Sequence, residues 1–167
     1  LVSENGALRG YLAVSDTPRF NSRAALDALK RIGIARMVML TGDNANVAAA
    51  VAGPLRIGDV HSNLLPQGQV EAVRALVTKY GEVAMIGDGV NDAPALAAAS
   101  VGIAMGGAGT AQALETADVA LMADDLTQLP GTILLGRKAM QVIRFNIWFA
   151  LLIKAIFLVA ALFGAAT

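Results

Sequence analysis

Asp88 and Asp92 stand four residues apart in the string Met85-Ile86-Gly87-Asp88-Gly89-Val90-Asn91-Asp92-Ala93-Pro94, directly after an apolar run at 83–86. An apolar run followed by glycines and acids predicts a buried strand that ends in a tight turn. Two carboxylates across such a turn can approach one hard cation, and Mg²⁺ takes one or two carboxylates with water and phosphate oxygens completing its shell. Gly87 and Gly89 permit close backbone approach. Asn91 can donate to an oxygen, and Asp92 is placed to cap the following helix. Upstream, Thr41-Gly42-Asp43-Asn44 follows a second apolar run, at 37–40. By itself this segment reads as a helix-capping turn.

These residues need a frame that brings the ends of strands together. Apolar runs at 8–14, 37–40, 83–86, 101–105 and 119–122 read as short buried strands. Helical candidates fall at 22–32, 44–52, 67–79, 91–99 and 109–116. In the first, Ala25, Leu26, Leu29 and Ile32 recur at helical spacing while Arg23, Asp27, Lys30 and Arg31 are polar. Gly33 then suits a helix stop. Alternation of strands and helices predicts right-handed crossovers and a mostly parallel sheet. Ligands of such sheets bind beyond the carboxyl ends of strands, which is where Asp43 and Asp88 fall.

The chain has 167 residues, zero formal net charge and no cysteine, and 56% of it is hydrophobic. Zero net charge gives no case for nucleic acid as a partner, and the lack of cysteine excludes disulfides and thiolate metal ligands here. The hydrophobic excess lies at the C-terminus, where Lys154 is the one charge after Arg144. Residues 147–167 would span about 31 Å as a helix, enough to cross a bilayer core. Arg137, Lys138 and Arg144 precede them as a cytoplasmic flank would, and Trp148 and Phe149 suit the interface. A lysine inside such a span costs roughly 2.5–3.5 kcal/mol at the membrane centre. Lys154 therefore reads either as a snorkelling side chain or as part of an ion pathway. The chain opens on Leu1 and reads as a piece cut on both sides.

Together the Asp88 string, the Thr41 string, Val101-Gly102-Ile103-Ala104-Met105-Gly106 and Glu115-Thr116-Ala117-Asp118-Val119 resemble the P-type ATPases, pumps of the haloacid-dehalogenase-like superfamily. The resemblance implies a Rossmann-like α/β domain over residues 1–128 that lacks its nucleophile strand, a linking helix at 129–144 and a transmembrane helix at 145–167. It implies Mg²⁺ and ATP as cofactors, with Asp88 ligating Mg²⁺ and Asp92 supporting or joining it. Thr41, Gly42 and Asn91 would contact the phosphoryl group, with Asp43 beside them in the same site, and Asp16 would be structural or hinge-related. Asn146 followed by Lys154 resembles the zinc, cadmium and lead group, in which the lysine serves the transport pathway. That group implies Zn²⁺, Cd²⁺ or Pb²⁺ as transported ion and the lipid bilayer as partner. The rest of the same chain would supply nucleotide-binding and actuator domains and further membrane helices. The location implied is the cell membrane, with residues 1–144 cytoplasmic. A non-catalytic remnant and a haloacid-dehalogenase-like phosphatase are the alternatives.

Two departures stand out. The Asp-Lys-Thr-Gly-Thr nucleophile motif of these pumps does not occur in the chain. After Leu64-Leu65-Pro66 the pumps usually carry Glu-Asp-Lys, whose lysine neutralises phosphoryl charge; here Gln67, Gly68 and Gln69 stand there. An amide donates without charge, and charge-assisted bonds are roughly twice as strong. Arg74 and Lys79 are expected too far along the next helix to substitute.

Overall fold

The computed structural model describes residues 2–10, 17–88, 92–106, 115–123 and 125–163. The chain divides into two compact units, Leu1–Thr127 and Gln128–Thr167.

The first unit opens with an antiparallel hairpin, β1 (Val2–Glu4) and β2 (Ala7–Gly10), turned by Asn5 and Gly6, both at positive φ. The expected strand at 8–14 appears only through Gly10; residues 11–14, and Asp16, lie outside the described residues. Helix α1 (Ser22–Arg31) buries Ala25 and Leu29 of the expected stripe together with Ser22, while Leu26 and Ile32 are half-buried. Gly33 (φ +92°) ends it: its N–H donates to the Lys30 carbonyl and that of Ile34 to the Leu29 carbonyl, a Schellman closure.

β3 (Val38–Leu40) leads to α2 (Ala45–Leu55), which runs three residues past the expected end and carries Pro54 in its last turn. α2 closes on Arg56 in the left-handed region, φ +54°, where glycine is the usual residue. β4 (Asp59–His61) pairs parallel with β3 and was not expected. With one apolar residue flanked by Asp59 and His61, it carries no strand pattern of its own. Its parallel partner makes it a strand.

α3 (Pro66–Tyr80) has Pro66 at its start, where a missing N–H costs nothing. β5 (Ala84–Gly87), β6 (Val101–Met105) and β7 (Val119–Leu121) form a parallel sheet with β6 central. α4 (Ala93–Ala98) packs on β6, and Gly102 permits it: a methyl there would meet the Leu96 carbonyl at 2.9 Å. Ala95, Leu96, Ile103, Ala104, Met105 and Leu121 bury this half of the core. Asp118 bridges β6 to the start of β7. Its Oδ2 accepts from Gly102 N–H at 2.8 Å and its own N–H donates to Gly102 O at 2.9 Å. The helix expected at 109–116 falls almost wholly outside the described residues.

In the second unit one helix, α5 (Leu129–Leu162, 34 residues), runs unbroken. It is long and apolar enough to cross a membrane. Phe145 and Phe149 stack along it with ring centroids 6.0 Å apart. The first unit is therefore an α/β unit with parallel strands and flanking helices, and one long apolar helix makes up the second.

Candidate functional site

The segment leaving β3 is laced to the segment leaving β4. Thr41 N–H donates to His61 O at 3.0 Å, Leu64 N–H to Thr41 O at 3.0 Å, and Asn63 N–H to Asp43 O at 2.7 Å. Gly42 sits where a Cβ would press on Leu64 O at 3.2 Å. The Thr41 hydroxyl donates to Asp43 Oδ2 at 3.0 Å and accepts from Asp43 N–H at 3.1 Å. To donate to any ligand, this hydroxyl must exchange Asp43 for it. Asn44 caps α2, its Oδ1 accepting from Asn46 and Val47 N–H at 3.0 and 3.1 Å. The capping half of this segment is thus physically present, and its acidic half lies exposed beside it.

Asp88 follows β5 directly and is exposed. Asp92 occupies the cap position of α4 but does not cap it: no side-chain cap bond forms. Its carboxylate instead turns back, accepting the Asp88 backbone N–H and lying over Gly87. Pro94, second in this helix, has no N–H to offer a cap, which leaves Ala95 as the remaining first-turn donor. Burial of Asp92 and the nearby Asp88 charge push its carboxyl above the usual carboxylate range, and the Asp88 N–H partly offsets this. Asn91 lies outside the described residues.

Two further contacts align the two parallel sheets. At one end, α3 packs on α4, and Pro66, Gln67, Val70, Glu71, Arg74 and Pro94 line a groove of about 380 Å³. The start of α3 thus joins Leu64, above Gly42, to Pro94, next to Asp92. At the other end, Arg36 ahead of β3 stacks on Tyr80, which leads into β5, at 5.1 Å. The carboxyl ends of both sheets therefore face the same way, as ligand binding on such folds requires.

Gln69 is half-buried in the first turn of α3. Lys79 lies at the far end of the same helix, its Nζ 5.1 Å from the Tyr80 ring centroid. Arg74 lines the groove with Gln67 and Pro94, nearer the α4 start than its position along the helix suggested. His61, Asn63 and Leu64, which hold the Thr41 segment in place, carried no sequence signal beyond the neighbouring Pro66.

Among the described residues no three His, Cys, Asp or Glu side chains form a metal-holding group. The pair Asp88 and Asp92 is what remains. Two mutually repelling carboxylates, one of them partly buried, fit Mg²⁺ sharing its shell with phosphate and water better than an all-protein cage.

Residues 1–100 match the family described as "Hydrolase: haloacid dehalogenase-like hydrolase". The chain belongs to that family. Within the haloacid-dehalogenase-like proteins its similarity is to metal-transporting P-type ATPases, as the motifs implied. It is 51% identical over 164 residues to a probable cadmium-transporting ATPase of Alkalihalophilus pseudofirmus, covering 98% of this chain and 23% of that protein. It is 44% identical over 155 residues to a manganese-exporting P-type ATPase of Mycobacterium leprae, covering 93% and 21%. A crystal structure of a zinc-transporting PIB-type ATPase in the E2.Pi state superposes with a TM-score of 0.83 at 46% identity, covering 90% of this chain and 24% of that one. The chain thus spans about a quarter of the length of these relatives.

Proposed function

We propose that this chain is the phosphoryl-handling unit and one membrane helix of an ATP-driven exporter of divalent heavy-metal ions. One observation carries the reading: similarity to the cadmium-transporting ATPases extends over 164 residues, through the α/β unit and the apolar helix together. A phosphatase of the same family would account for the first and not the second.

In this reading the carboxyl ends of β3 and β5 receive a phosphoryl group carried on an aspartate outside these 167 residues. Mg²⁺, when bound, supplies neutralisation of phosphoryl charge. Asp88, exposed at the end of β5, would hold it. Asp92 would fix the Asp88 backbone and add the second carboxylate. Thr41 would exchange its bond to Asp43 for a phosphoryl oxygen, with Gly42 offering its amide at a spot where a side chain would crowd Leu64. Asn91 would donate to the same group. α5 would cross the membrane with residues 1–144 cytoplasmic, and Lys154 would serve the ion pathway.

Zn²⁺ or Cd²⁺ is the transported ion we favour, from the Asn146 and Lys154 pattern. The test is metal-stimulated, vanadate-sensitive ATP hydrolysis by the complete transporter in vesicles. Stimulation by Cd²⁺ or Zn²⁺ supports the reading, stimulation by Mn²⁺ alone reassigns the ion, and hydrolysis indifferent to metal overturns the pump. Gln69 favours one second reading, a pump with weakened phosphoryl transfer.

A further inference from the structure

The zero net charge of the chain conceals a polarity. Asp43, Asp88 and Asp92 gather at the carboxyl ends of the parallel strands. The opposite edge, where helices run back into strands, is basic. Lys30 and Arg31 end α1, Arg36 precedes β3, Arg56 ends α2 and Lys79 ends α3, all exposed. Three carboxylates share this edge. Asp27 is bound by Arg23 at 2.9 Å, Asp59 lies 3.3 Å from His61, and Glu82 is exposed. Five cations therefore face two carboxylates that lack a permanently charged partner.

Arg36 and Lys79 share one aromatic neighbour. Both sit 5.1 Å from the Tyr80 ring centroid, so one half-exposed aromatic ring holds two like charges together. Neither has a carboxylate partner among the described residues. Arg56 keeps its charge at this edge in a left-handed backbone conformation that a glycine would adopt without strain. Tyrosine beside Lys and Arg is the composition found at membrane interfaces.

We propose that this basic edge, centred on Arg36, Tyr80 and Lys79, rests on the headgroups of anionic phospholipid. The inference rests on the membrane reading of α5. A chain whose own helix enters a bilayer is tethered to that bilayer, which keeps the lipid surface at high effective concentration for the rest of the chain. Anionic headgroups attract basic residues within a Debye length, about 8 Å at physiological salt.

The test uses the 167-residue chain reconstituted in phosphatidylcholine and in bilayers about a third phosphatidylglycerol, with Lys79 acylation by a neutral reagent followed by mass spectrometry. Emission from Trp148, the sole tryptophan, reports insertion of α5 separately. The expected result is a blue-shifted Trp148 in both bilayers and Lys79 acylation slowed about threefold or more by the anionic lipid. High salt or Arg36→Gln should reverse the slowing. Equal acylation in the two bilayers with Trp148 inserted overturns this inference and leaves the membrane reading intact. Equal slowing by inorganic phosphate in phosphatidylcholine would make the edge a site for a free anion and overturn the lipid assignment. A Trp148 that stays in water overturns both.

Discussion

The carboxylate of Asp92 lies over the Cα of Gly87, so close that a methyl group added to Gly87 would sit 2.6 Å from Asp92 Oδ2 and 2.9 Å from its Cβ. The acid four residues after the turn is thereby seated against the strand end that precedes Asp88. Gly87→Ala should unseat it. Overpacking of this kind costs about 1–3 kcal/mol. Thermal unfolding should show that loss, and stabilisation by Mg²⁺ should shrink with it. Unchanged Mg²⁺ stabilisation in the variant would separate Asp92 from the cation.

Asp92 also sets a pH dependence. Its folded pKa is raised, first by burial and then by Asp88, above the reference value of 3.8. Between these values the folded protein holds a proton that the unfolded chain has released, so stability falls as pH rises through that window. Above the window the penalty is complete. Asp92→Asn should therefore stabilise the apo protein at neutral pH, and the gain should vanish on acidification to the lower end of the window. Denaturation curves across pH check this, and a pH-independent gain would show that charge is not the cause. Mg²⁺ should stabilise the original protein more than the variant.

Asn44→Ala removes the acceptor for two N–H groups at the start of α2. Loss of such a cap costs about 0.5–2 kcal/mol. Asn44→Asp should retain most of the stability, because the aspartate carboxylate accepts the same bonds and complements the helix dipole. Circular dichroism melts distinguish the two.

If the complete protein is the proposed pump, Gln69→Lys in it should raise the rate of phosphorylation, since a cation in the first turn of α3 adds charge near the carboxyl ends of the strands. Rapid-quench phosphorylation measures it. Equal rates would show that another group already supplies the charge, and Arg74, lining the groove at Pro94, is then the residue to replace next.

Much of this was legible in the sequence because it depends on local pattern. The runs at 37–40, 83–86, 101–105 and 119–122 hold strands, shifted by no more than a residue at their ends, and Gly33 stops α1. What stayed hidden depends on partners distant in the chain. β4 exists because Val38–Leu40 lies beside it, and its own three residues say nothing of that. Asp92 has the type and position of a helix cap, but the short helix behind it competes poorly with the Asp88 N–H in front. Thr41 has the right type for a phosphoryl donor, yet its hydroxyl is bonded to Asp43. The charge polarity is invisible in a net count, because opposite ends of the same strands cancel.

α5 has no proline after Pro130 and no break across Arg144, where its polar flank gives way to apolar residues. The polar-to-apolar boundary in this helix is chemical and has no mechanical joint. From Leu129 to Lys154 is about 38 Å of continuous helix, without any of the insertions that commonly kink one. A twist or tilt imposed at its first turn would reach the lysine as the motion of a stiff shaft, undamped by a hinge.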